Sequence, residues 1–159
     1  MKISATMYQN VSVQSPYPVL TVDDEPLDVW LDNQIPEHNI LGGVPILGLV
    51  PAQGWLIDEE DLALAWRRIL SIDLDHSTIV PLLICPDDMD LTCTVIVTEQ
   101  TGTTDNVIWR RFGYDFSSFG DQVGATVKWF DHNLSLTFDK SEYVTAILEF
   151  KRLTDEVWV

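Results

Sequence analysis

The chain of 159 residues suffices for one domain with a sizeable core, and 46% hydrophobic against 21% charged residues excludes the composition of a disordered acidic tail. A formal net charge of −16 repels phosphates and anionic headgroups, which argues against autonomous nucleic-acid or membrane-surface binding and points to cationic proteins or metal ions as partners. The charge is uneven: ten carboxylates and no Lys or Arg lie between Lys2 and Arg67, fifteen acids face three bases up to Asp90, and ten face six beyond it.

No run approaches the roughly 18 apolar residues needed to cross a bilayer. The longest apolar region, Ile40 to Val50, is broken by Gly42, Gly43, Pro45 and Gly48. The N-terminus has no apolar signal core, so the expected location is the cytoplasm. There the matches to a glycosylation acceptor at Asn10-Val11-Ser12 and Asn133-Leu134-Ser135 carry no meaning.

In chain order, the Pro- and Gly-rich first third predicts strands near Lys2 to Gln9 and Tyr17 to Val22, a short helix opened by Pro26, and irregular packing against the rest. From Asp58 to Leu70, Leu62, Ala65, Trp66, Ile69 and Leu70 fall on one helical face. Four acids at its start and Arg67-Arg68 at its end suit the helix dipole. The period then becomes that of strands: Ile79 to Cys85, Cys93 to Thr98, and Val107 to Trp109 after the polar turn Thr101 to Asp105. A fourth strand, Leu134 to Phe138, leads to a C-terminal helix with Asp139 as N-cap, Glu142 three residues on, and a core stripe of Tyr143, Ile147 and Phe150. The expected class is α+β: one domain over residues 1–159, with an antiparallel sheet of four or more strands and two main helices on one face.

The segment Cys85-Pro-Asp-Asp-Met-Asp-Leu-Thr-Cys93 links two predicted strands, so its two thiols are expected at one end of the sheet. Structural zinc takes four thiol or imidazole ligands, and His38, His76 and His132 lie far off in sequence, so no metal is expected and the thiols read as small buried strand-end residues. Asp87, Asp88 and Asp90 have the oxygen chemistry of a hard-cation site but lack the Gly and closing Glu of an EF-hand; an exposed protein-binding loop is the stronger of these two readings, and a merely solvated turn is the plain alternative to both. No catalytic motif is present: no Gly-x-Ser-x-Gly, no His-Glu-x-x-His, no phosphate loop. Of six Trp, Trp66 and Trp109 read as core; Trp30 and Trp55, amid acids, are candidate cation–π anchors, and Trp129 and Trp158 are left open.

The run Val80 to Cys85, Cys93 with the β-rich segment after it, Val107 to Phe112, and the closing Phe138-Asp139 with Tyr143 resemble uncharacterised bacterial proteins. As a small, acidic chain without catalytic motifs, the protein also resembles the immunity proteins of contact-dependent inhibition and other polymorphic toxin systems. That resemblance implies a non-enzymatic inhibitor, without cofactor, that binds one cognate toxin C-terminal domain as a 1:1 heterodimer, the toxin often being a basic nuclease. The charge argument arrives there separately, with Asp23, Asp24, Glu25, Asp28, Asp87, Asp88 and Asp90 as expected partner-binding acids. The competing expectations are a small metal-dependent or acid–base enzyme using the Cys85 to Cys93 loop, and an acidic regulatory subunit.

Overall fold

A computed structural model describes residues 1–10, 13–35, 45–118, 120–131 and 133–157. His38, His132, Trp158 and residues 40–44 of the Ile40 to Val50 region therefore lie outside the described residues, as do Val11 and Ser12 of the first glycosylation match.

The first third is more regular than Pro and Gly content suggests. Strands β1 (Ile3–Tyr8), β2 (Tyr17–Val22) and β3 (Glu25–Pro26) form a small antiparallel sheet in the order β1-β2-β3. All of β2 is buried, because it is the central strand and is covered by helix α4 (Lys140–Val157). Pro26 caps helix α1 (Leu27–Gln34) with its φ at −53°, as the sequence led us to expect.

Strand β4 (Val50–Pro51) and the single turn α2 (Ala52–Trp55) precede helix α3 (Glu59–Ile69), where Asp58 caps the helix by accepting the Asp61 N–H at 3.0 Å. Then come β5 (Ser77–Ile84), β6 (Val95–Gly102), β7 (Asn106–Asp115), β8 (Val127–Trp129) and β9 (Leu136–Asp139). With β4 they build an antiparallel sheet of six strands ordered β4-β5-β6-β7-β8, β9 sharing the outer edge of β7 with β8. Pro81 sits where the β5–β6 register shifts, a place in a sheet that tolerates the missing N–H. Gly102 is obligatory: a Cβ there would lie 1.9 Å from the Ile72 carbonyl oxygen. Asp139 caps α4 as foreseen, accepting from Glu142 N at 3.0 Å and Ser141 Oγ at 2.6 Å; in place of the reciprocal Glu142 arm, Asp139 pairs with Asn106 in the ladder.

The α+β class holds, and both long helices meet over the sheet at one buried polar node. Gln100 of β6, fully buried, donates from Nε2 to the carbonyls of Ser71 at 2.9 Å, Ile69 at 3.1 Å and Arg68 at 3.3 Å, the free end of α3. Its Oε1 accepts from Trp109 Nε1 at 3.0 Å and Tyr143 Oη at 2.6 Å. Indole nitrogen only donates, which fixes which end of the amide is oxygen. Trp109 is fully buried with edge-on contacts to Phe112, Phe138 and Tyr143, and half-buried Trp66 of α3 packs on Phe150 of α4. No helix of the described residues is long and apolar enough to cross a membrane.

Candidate functional site

Three segments converge where β5 and β7 end and β6 begins. The first turn of α3 supplies Glu60 and Asp61, the β5–β6 connection supplies Asp90, Leu91, Thr92 and Cys93, and residues 115–123 supply Asp115, Asp121 and Gln122. They line an open groove of about 790 Å³ with, among the described residues, five carboxylates and one guanidinium, Arg67, on its walls. Glu60 and Asp61 enter it because the sequence that favours the helix start also places acids there.

The groove is anchored from behind. Arg68 Nη1 donates to Ile79 O at 3.1 Å and Val123 O at 2.6 Å, and Nη2 to Gln122 Oε1 at 3.3 Å, pinning the β7–β8 connection to α3. Asp115 Oδ1 gathers Ser117 Oγ at 2.6 Å, Gly124 N at 3.0 Å and Ser117 N at 3.3 Å, which folds the same segment. Gly124 has φ at +94°, and a Cβ there would press on Ile79 Cβ at 2.9 Å. On the opposite wall, Ile57 N donates to Met89 O at 3.3 Å, and Met89 N to Cys85 O at 3.2 Å.

Their surroundings shift two of these carboxyls in opposite directions. Partial burial, with Asp58, Glu60 and Asp90 nearby, raises the Asp61 carboxyl above its ordinary value. Asp90 moves the other way, because the Thr92 hydroxyl at 2.7 Å and the Thr92 N–H at 2.9 Å bond its charged form. A cation entering the groove meets Glu60, Asp61 and Asp121, whose side chains have no hydrogen bond or ion pair among the described residues, whereas Asp90 and Asp115 are already bonded by Thr92 and by Ser117 and Gly124.

The acids expected to act together do not form one patch. Asp23 and Asp24 make an exposed two-residue hairpin turn between β2 and β3, with φ of +49° and +68°, the left-handed pair such turns require. Asp23 Oδ1 accepts the Lys2 N–H at 2.9 Å and Asp24 Oδ1 lies 3.1 Å from Lys2 Nζ, so this turn, with exposed Glu25, already holds a base. The N-terminal amine contacts Thr137 O, and Thr137 pairs with Ile108 near the start of β7. The groove lies at the other end of that strand, seven residues or roughly 23 Å away.

Asp28 is a correction: it is 3% exposed in the first turn of α1 and accepts the Gly48 N–H at 3.0 Å. Burial raises its carboxyl above the ordinary range, and it is a structural acid without access to a partner. Trp30 is buried too, Trp55 packs half-buried against Tyr17, and Trp129 stacks under the Arg111 guanidinium at 3.9 Å, so neither proposed anchor projects from the surface.

Asp87 and Asp88 are exposed on the β5–β6 connection, as expected of a recognition loop. The cysteines are not buried strand-end fillers: Cys85 is half-buried and Cys93 exposed. Asp88 joins them, the two sulfurs and a carboxylate oxygen all lying within 4.8 Å of one another. The Asp88 hydrogen bond, ahead of partial burial, raises the Cys93 thiol. Asp115 and Asp121 were out of reach of sequence reasoning, since only the strand topology brings them to Asp61 and Asp90.

No protein-family model matches the chain, and neither a curated protein nor a solved structure matches it.

Proposed function

We propose that the protein is a cytoplasmic toxin-neutralising inhibitor that binds a basic partner domain, most readily a nuclease, in its acidic groove. The observation that carries this reading is the groove itself, with Glu60, Asp61, Asp90, Asp115 and Asp121 on its walls against the single Arg67. A nuclease gathers Lys and Arg to hold phosphates, and a rigid set of carboxylates of matching spacing competes for the same cations. The exposed Asp87 and Asp88 extend the surface along the adjoining loop, whereas the Asp23 to Glu25 turn, at the far end of the sheet, adds long-range attraction. Steering of this kind raises association rates to about 10⁸–10⁹ M⁻¹s⁻¹ at low salt, and salt removes the gain.

The test is titration with the toxin-like C-terminal domain encoded beside its gene, at low and high salt, with toxin activity read in parallel. A tight 1:1 complex whose association slows with salt, and loss of toxin activity, are the expected results. The Glu60→Gln, Asp61→Asn, Asp121→Asn variant should associate more slowly and dissociate faster. Binding unchanged in that variant would remove the groove from the interface, and absence of binding would overturn the inhibitor reading.

A further inference from the structure

The β5–β6 connection converges three potential metal ligands whose arrangement owes nothing to the inhibitor reading. Cys85 follows the last residue of β5, Cys93 stands two residues before β6, and Asp88 lies three residues after the first thiol. Cys85-x-x-Asp88 has the short ligand spacing of zinc hairpins, with a carboxylate where a second thiol usually stands. The sulfurs and the carboxylate oxygen all lie within 4.8 Å of one another. Bonds of about 2.3 Å to sulfur and 2.0–2.2 Å to oxygen set tetrahedral ligands roughly 3.6–3.8 Å apart, so small side-chain rotations close the set.

Main-chain ties hold the connection in this shape. Met89 takes φ of +52°, a left-handed conformation uncommon for a residue with a side chain, and its N–H and C=O are fixed by Cys85 O and Ile57 N. The Asp90 carboxylate closes the following turn on Thr92. Two thiols and a carboxylate drawn together repel one another when ionised, and a cation removes that repulsion. Cys93 also lines the acidic groove, whose potential concentrates cations beside the cluster.

We propose that Cys85, Asp88 and Cys93 bind a zinc-class divalent cation through two thiolates and one carboxylate, leaving one coordination position for water or an incoming group. Thiolate ligands select zinc-class ions over Ca²⁺ and Mg²⁺, which take oxygen. The thiols give up their protons on binding, so affinity falls as pH falls.

The experiment uses the full chain alone, reduced and metal-stripped, with both thiols verified by a thiol reagent, and Co²⁺ as the probe. One equivalent should produce a thiolate-to-cobalt charge-transfer absorption, and Zn²⁺ should displace it. Cys85→Ser and Cys93→Ser should each lose the absorption while keeping the wild-type circular dichroism. Even outer-shell partners of metals are worth roughly 10–100-fold in affinity, so loss of a direct ligand in Asp88→Asn should weaken binding at least about tenfold. A reduced protein that gives no absorption, or an affinity untouched by Asp88→Asn, would overturn the assignment. Cobalt binding that persists in the double Cys85→Ser, Cys93→Ser variant would do the same and place the ion on the groove carboxylates. No toxin enters these measurements, so their failure leaves the inhibitor reading standing, and failure of that reading leaves the metal site standing.

Discussion

Replacing Gln100 by Leu isolates the polar node that holds α3 and α4 to the sheet. The side chain keeps nearly the same volume, so the cost lies in polar atoms left behind. Of the three carbonyls it serves, Arg68 O keeps the Ser71 N–H at 3.0 Å and Ile69 O keeps Tyr143 Oη at 2.9 Å. Ser71 O and the fully buried Trp109 Nε1–H lose their partners. An orphaned buried group costs about 1–3 kcal/mol; with Ser71 half-exposed and Trp109 not, the sum is about 3 kcal/mol. With a urea m-value of about 2 kcal/mol/M, the unfolding midpoint should fall by about 1.5 M, read by tryptophan fluorescence. Tyr143→Phe is the control, since Gln100 Oε1 keeps Trp109 and Ile69 O keeps Gln100; it should cost only about 1 kcal/mol. Equal midpoints for the two variants, or a drop below about 0.3 M for Gln100→Leu, would refute the orphan-group reasoning.

Arg68→Met removes the guanidinium that pins Val123 and Gln122, and limited proteolysis should then cut residues 115–126 faster while leaving α4 intact. Gly102→Ala forces a methyl onto the Ile72 carbonyl and should destabilise by about 1–3 kcal/mol or more in thermal melts. The raised carboxyl of Asp28 gives a signed pH effect: its protonated form is the favoured one in the fold, so its contribution is fully present below the unfolded-state value and is lost as pH rises through the folded one. Asp28→Asn, which keeps an acceptor for Gly48 N–H, should therefore gain stability over wild type as pH rises above the unfolded-state carboxyl value of about 3.9, and a pH-independent difference in urea midpoint would contradict this.

Local signals made much of the fold legible. Helix α3 is written twice, in its apolar period and its end charges, and Asp139 announced α4 by its cap. The β5 to β7 meander followed from β-rich runs around the Thr101 to Asp105 turn. The β1-β2-β3 sheet was hidden because Pro and Gly density speaks of turns and is silent about which strands pair across them. Asp28 was misread since a first-turn helix acid normally faces solvent, and only the approach of Gly48 shows that this one is enclosed. The hairpin predicted that Cys85 and Cys93 share one end of the sheet, yet Asp88 became a third member only through the backbone path of the turn. The groove needed topology: Asp61, Asp90 and Asp121 are each about thirty residues apart in sequence.

The ties behind the groove mostly grip main chain. Ile79 O and Val123 O receive Arg68, and Met89 O receives Ile57 N. Among the described residues, the side chains of Glu60, Asp61 and Asp121 make no hydrogen bond or ion pair within the protein. Apart from the helix-dipole preference for an acid at Glu60 and Asp61, folding thus places little constraint on what stands at those three positions. A lineage can exchange them one at a time, changing size or reach, and inherit a nearly unaltered scaffold. Paralogues descended from this chain should diverge first there, as interchangeable teeth of a key whose shaft is set by Arg68 and Gln100.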